Sequence, residues 1–213
     1  MNLDVEEHLD AADRSVSVLE RDGKPARAVT LSRSYATTLE DLWDAVTNGD
    51  RLPRWFLPVT GELRPGGRYQ LEGNAGGSIP ACGRPGHLAR TCEVGGDVSW
   101  VEIRFSQGGA GRARLELTHT QRLSEHWNQY GPGATGVGWE LGLLGLAFHL
   151  ADPDAPKPDE VALAASPVGR AFIRGSGEGW GQAAVASGEN PDAARTAARR
   201  TIAFYTGEPA ELD

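Results

Sequence analysis

The chain has 213 residues, with 21 Lys and Arg against 29 Asp and Glu and a formal charge of −8. This length suits one domain plus an elaboration, and the acidic balance repels phosphates and anionic membrane surfaces, which excludes nucleic acid as a partner and membrane insertion as a role. No run reaches the roughly 18 apolar residues of a membrane span, the acidic start Met1-Asn2-Leu3-Asp4-Val5-Glu6-Glu7 is unlike a signal peptide, and Cys82 and Cys92 fit packed, reduced thiols, so a cytoplasmic location is expected.

Residues 3 to 14 place Val5, His8, Leu9 and Ala12 at helical spacing, and Arg14 to Leu19 then alternates as a strand does. Asp22-Gly23 is a two-residue hairpin turn, followed by a second alternating run from Ala26 to Arg33. Thr37 is expected to cap a helix, with Glu40 as its reciprocal partner and Leu39, Leu42, Trp43 and Val46 as its apolar stripe. Asn48-Gly49 ends that helix. The stretch from Leu52 to Leu71 then joins a short helical turn, in which Pro53 and Pro58 bracket Trp55 and Phe56, to a sharp turn at Pro65-Gly66-Gly67.

From Val59 to Gln121, glycine-rich turns separate alternating runs, and about five antiparallel strands are expected. Ile79 to Ala89, with Pro80 and Pro85, reads as an irregular edge strand. In the last two strands Val101, Ile103 and Phe105, and Ala113, Leu115, Leu117 and His119, share one dry face.

Residues 134 to 151 form a helix that is apolar on two sides. Trp139, Leu143, Leu146 and Leu150 make one stripe, and Leu141, Leu144 and Phe148 make another. Gly138, Gly142 and Gly145 form a flat third. The second stripe calls for a cover, which the C-terminal segment is expected to supply. After the proline-rich linker 152–159, Ser166-Pro167 and Asn190-Pro191 open helices over about 167 to 187 and 191 to 205, anchored by Phe172, Trp180, Ile202, Phe204 and Tyr205. Gly175, Gly177, Gly179 and Gly181 are expected to kink or break the first of them, at about 1 kcal/mol each.

Several side chains invite a chemical reading. His119 points inward beneath the long helix, either as a neutral core histidine or as a general acid or base. His126 is expected in a surface loop. Glu140 is read as an ion-pair partner and His149 as structural. No short-spaced pair supports a metal site, Cys82 and Cys92 match no zinc pattern, and there is no phosphate loop or Gly-x-Ser-x-Gly elbow. No cofactor is expected.

The order of these elements resembles the START-like or SRPBCC superfamily. Within it, Trp43-Asp44-Ala45-Val46-Thr47, Arg51-Leu52-Pro53-Arg54-Trp55-Phe56, Gly67-Arg68-Tyr69 and Gly138-Trp139 with Leu141, Leu143, Leu144 and Leu146 are similar to the branch related to the activator of heat-shock-protein ATPase. The resemblance covers about residues 26 to 151. It implies an α+β helix-grip fold, with a curved antiparallel sheet wrapped around the long helix. It divides the chain into an N-terminal extension (1–25), the START-like domain (26–151) and a C-terminal segment (152–213). Trp180-Gly181-Gln182-Ala183 and Ala203-Phe204-Tyr205-Thr206-Gly207 resemble the extension of a bacterial subgroup.

The implied function is binding of a small hydrophobic or amphipathic ligand, lipids included, in an internal cavity. Its expected lining is Trp43, Trp55, Phe56, Tyr69, Leu71, Val101, Ile103, Leu117, His119, Trp139, Leu143 and Leu146. Catalysis is not the leading expectation. The alternatives are a cyclase- or dehydratase-like enzyme using His119 on an aromatic or polyketide substrate, and a co-chaperone-like interaction module. A homodimer or a protein partner is compatible with either.

Overall fold

A computed structural model describes residues 3–210, so the outermost residues of the 1–25 and 152–213 segments lie outside it. The opening alternation forms a hairpin of β1 (Ala12–Arg21) and β2 (Lys24–Tyr35). Asp22 and Gly23 both adopt positive φ, at 52° and 71°, as a two-residue turn between twisted strands requires. Seven further strands follow: β3 (Val59–Gly61), β4 (Arg68–Leu71), β5 (Gly76–Ser78), β6 (Ala81–Gly83), β7 (His87–Val94), β8 (Asp97–Gln107) and β9 (Ala113–Arg122). Their order is β1-β2-β9-β8-β7-β5-β4-β3, with β6 also on β7. The class is therefore α+β, a nine-stranded antiparallel sheet with helices towards the C-terminal side. Seven strands lie between Val59 and Gln121 where about five were expected, because β5 and β6 have three residues each, too few for alternation to register.

The chain resolves into two compact units, and β2 and the long helix α4 (Gly133–Ala151) run from one into the other. The unit of residues 32–121 and 142–157 holds β3 to β9 and α2 (Leu39–Thr47). The cap of α2 is Thr38, whose hydroxyl accepts the Asp41 N–H at 3.1 Å, one residue later than expected. Thr37 instead bonds the Asp41 carboxylate at 2.5 Å. In β8 and β9 the expected faces hold, with Ile103 opposite Leu117 and Phe105 opposite Leu115, all four buried. The Trp55 indole donates to the Ala45 carbonyl at 2.9 Å, tying the 3₁₀ turn Leu52–Arg54 to α2. A Cβ at Gly145 would lie 2.6 Å from the Trp55 carbonyl oxygen, so only glycine lets α4 approach this turn.

The other unit, residues 1–31, 122–141 and 158–213, is mainly helical: α1 (Val5–Asp10), α3 (Glu125–Tyr130), the first half of α4, α5 (Glu160–Ala165), α6 (Pro167–Ala186) and α7 (Pro191–Thr206). His126 lies on α3 and not in a loop, because Ser124 caps that short helix through the Trp127 N–H. α6 is unbroken despite five glycines, four of them at 175, 177, 179 and 181. Gly175 and Gly179 meet Leu9 and Arg14, while Gly177 and Gly181 meet Ile202 and Ala198 of α7. Spacing of four puts each pair on one face, and close packing offsets the poor helix propensity.

Both late caps form as expected: Ser166 accepts from Gly169 at 3.1 Å, and Asn190 from Asp192 and Ala193 at 2.9 and 3.1 Å. Asn190→Ala is expected to lower stability by about 1 kcal/mol in denaturant titrations. α7 and α6 meet α4 at Gly133, Gly136 and Gly138, among other positions, and these glycines receive Thr201, Trp180 and Tyr205. Small residues there let large side chains seat directly on the helix backbone.

Candidate functional site

A small pocket of about 40 Å³ opens within the strand-rich unit. α2 supplies Val46 and Thr47, and the following turn supplies Leu52. Val59 and Leu63 come from β3 and its loop, Ile79 from the link between β5 and β6, and Tyr69, Cys82, Leu88 and Arg90 from the sheet. A void of this size takes a few waters, whereas drug-sized ligands occupy on the order of 300–1,000 Å³.

Of the expected lining, Tyr69 borders this pocket. Trp43 stacks edge-on against Phe105, with ring centroids 5.1 Å apart, and Trp55 is tied to α2. Leu71, Val101, Ile103, Leu117, Leu143 and Leu146 are buried core residues. Phe56 lies over Gly142, and Lys157 Nζ bonds its carbonyl. Trp139 belongs to the other unit.

Arg90 is the residue that sequence reading passed over. It shares the inward parity of the buried Leu88 and Cys92, and an arginine interrupting that alternation was the available signal. Its guanidinium lies 5.6 Å from the centre of the Tyr69 ring, a cation over an aromatic face. Register puts Arg90 opposite Val101, and Val101 opposite His119, so the two basic side chains flank one valine on the same face. Burial, with the Arg90 charge adding to it, drives His119 down to a pKa of about 4. It is therefore neutral at pH 7. The Tyr69 hydroxyl donates to the Thr91 carbonyl at 2.7 Å and lies 3.4 Å from Cys92 Sγ; burial raises its pKa further above the ordinary tyrosine value.

A second polar cluster holds the Trp55 turn. Arg51 reaches Asp41 at 2.7 Å, Asp44 at 3.0 Å and His149 Nε2 at 3.3 Å. Burial, then Arg51 and Arg54, lower the His149 pKa, which keeps its ring neutral as the acceptor. Burial works against the Asp41 carboxylate, but hydrogen bonds from Thr37 and Arg51 outweigh it and hold its pKa low. In the helical unit Glu140, 3% exposed, pairs through both oxygens with Arg14, the second contact at 3.1 Å. This is the ion pair expected of it. Two parallel bonds compensate a buried charge that would otherwise be costly.

No curated protein matches the chain. Among solved structures, CalU16 from Micromonospora echinospora is similar in both crystal and solution forms. The crystal form is 28% identical, covering 81% of this chain and 98% of its own with a TM-score of 0.65. The solution form is 29% identical, covering 83% and 97% with a TM-score of 0.69. DynU16, described as a putative protein in the dynemicin biosynthetic locus, shares the fold at 18% identity and a TM-score of 0.52, over 62% of this chain and 49% of its own. The profile of the family described as Activator of Hsp90 ATPase homolog 1-like protein matches residues 36–150. That match takes in α2, the Trp55 turn, strands β3 to β9 and nearly all of α4, and it establishes that the chain belongs to this family.

Proposed function

We propose that this protein binds a small amphipathic molecule with an apolar body and an acidic head, and that Arg90 receives the head. The observation that carries the reading is a guanidinium set into the mostly apolar wall of a pocket, already stacked on Tyr69 and one residue across from neutral His119. Arginine suits a planar carboxylate because it presents parallel donors. His119 adds a donor or acceptor without a competing charge. The apolar body lies along Val46, Leu52, Val59 and Leu88.

Occupancy requires the 40 Å³ void to widen, and Leu63, already 40% exposed, is the lining side chain with the least burial to lose by swinging out. General acid or base chemistry by His119 has weaker support, since efficient proton transfer at neutral pH favours a pKa near 7. An interaction module has less support too, since Phe172 and Trp180 are buried and only Phe204 of the expected anchors is strongly exposed, at 60%.

Binding is tested by tryptophan fluorescence and thermal shift against fatty acids, aromatic carboxylates and the matching alcohols. The expected result is saturable binding of acids, with Arg90→Leu weakening it about tenfold or more and abolishing the preference over alcohols. Absence of any response across the panel, or an Arg90→Leu protein that binds acids as before, rejects the proposal.

A further inference from the structure

Strand β1 ends the sheet, and its outer side has no strand beside it among the described residues. Ten residues form a long edge, and such edges are ordinarily blunted by charged side chains, lysine above all, by proline or by a bulge. β1 contains neither lysine nor proline, and its charges, Asp13, Arg14, Glu20 and Arg21, stand towards its two ends, leaving Ser15 to Leu19 uncharged. The two-residue turn at Asp22-Gly23 makes Arg21 and Lys24 the hydrogen-bonded closing pair of the hairpin. Alternation from that pair turns the backbone N–H and C=O of Glu20, Val18, Val16 and Arg14 outward.

The sequence of this edge complements itself about Ser17. An antiparallel second copy centred there sets Val16 opposite Val18 and Asp13 opposite Arg21, while Arg14, held by Glu140 of its own chain, lies opposite Glu20. Parity agrees as well, because outward-facing residues meet outward-facing residues and can exchange both backbone bonds.

The geometry points to an isologous dimer, in which β1 pairs with β1 of a second copy across a two-fold axis at Ser17. Burial along the strand fits this partner. Val16 is covered while Val18, on the same face, is 61% exposed, although a valine at such a position ordinarily packs against a neighbour. Antiparallel pairing lays each Val18 beside Val16 of the other copy. α6 lies over the first half of β1, where Gly179 meets Arg14. In the dimer the two α6 helices fall over opposite halves of the strand pair. One strand pair is a small interface, so the dimer is a concentration-dependent one. Its exposed Asp13 and Arg21 pairs weaken with salt.

Sedimentation equilibrium on the full chain tests this. The expected result is a monomer–dimer equilibrium whose dissociation constant rises about tenfold or more in Val18→Glu. Asp13→Arg and Arg21→Asp are each expected to weaken association, and the double exchange to restore it. Val18 is exposed in the monomer, so the dilute protein should melt unchanged; if that variant misfolds, the charge exchanges decide alone. A protein that stays monomeric at high micromolar concentration, or a dimer indifferent to both the valine and the charge exchanges, overturns the proposal.

Discussion

Trp180→Ala is expected to lower the free energy of unfolding by about 3–5 kcal/mol, read from the midpoint and slope of a denaturant titration. Trp180 is fully buried, at 0% exposure, and its indole lies directly against Gly136 of α4. A Cβ at Gly136 would fall inside the indole. Truncating the tryptophan therefore opens a cavity between α4, α6 and the neighbouring helix of the same unit, and the glycine opposite has no side chain with which to refill it.

The complementary change, Gly136→Ala, overpacks the same contact and is expected to cost about 1–3 kcal/mol. The two changes should not add. In the Trp180→Ala background the new methyl enters the vacated space, so Gly136→Ala should cost less or even recover stability. A double-mutant cycle with no coupling would show that the indole and the glycine do not act as one contact.

The second large effect is pH dependence from His119. Its pKa of about 4 in the folded chain lies below the ordinary 6.5, because burial and the Arg90 charge disfavour the cation. The unfolded chain therefore binds a proton more readily between those values. The resulting stability is fully present above about pH 6.5 and is lost as pH falls towards 4, reaching about 3 kcal/mol at most. His149, whose pKa is also lowered, adds a loss of the same sign on acidification.

His119→Gln should flatten the pH 4 to 6.5 portion of the stability profile. A profile unchanged by that substitution would remove His119 as its source. Arg90→Leu should raise the His119 pKa, read by NMR titration of its ring protons, because the second cause of the depression disappears while burial remains. That shift also reports whether Arg90 and His119 are neighbours in solution.

Chain order and local chemistry were legible from one sequence wherever a short-range rule applied. The Asp22-Gly23 turn followed from the positive φ it demands, and the helix starts at Pro167 and Pro191 from the asparagine and serine caps before them. The dry face of β8 and β9 followed from strict alternation. Errors arose where a rule had two near-equal solutions. Thr37 and Thr38 are both capping residues, and only backbone geometry chose the second. β5 and β6 are too short to carry a period.

The glycines of α6 and α4 show what lay beyond sequence. Propensity alone makes Gly175, Gly177, Gly179 and Gly181 helix breakers, yet each meets a side chain of another element, and that packing keeps the helix continuous. The same holds for the site. Alternation made Arg90 inward-facing in principle, but its place over Tyr69 and across Val101 from His119 is set by strand pairings between residues far apart in the chain. The sequence by itself determined the family, the longer elements and their apolar faces, because these depend on local backbone preference and periodicity. Tertiary structure decided which glycines are contacts, how small the pocket beside Tyr69 is and which polar groups share its wall, because those depend on shape complementarity between distant segments, which no local pattern encodes.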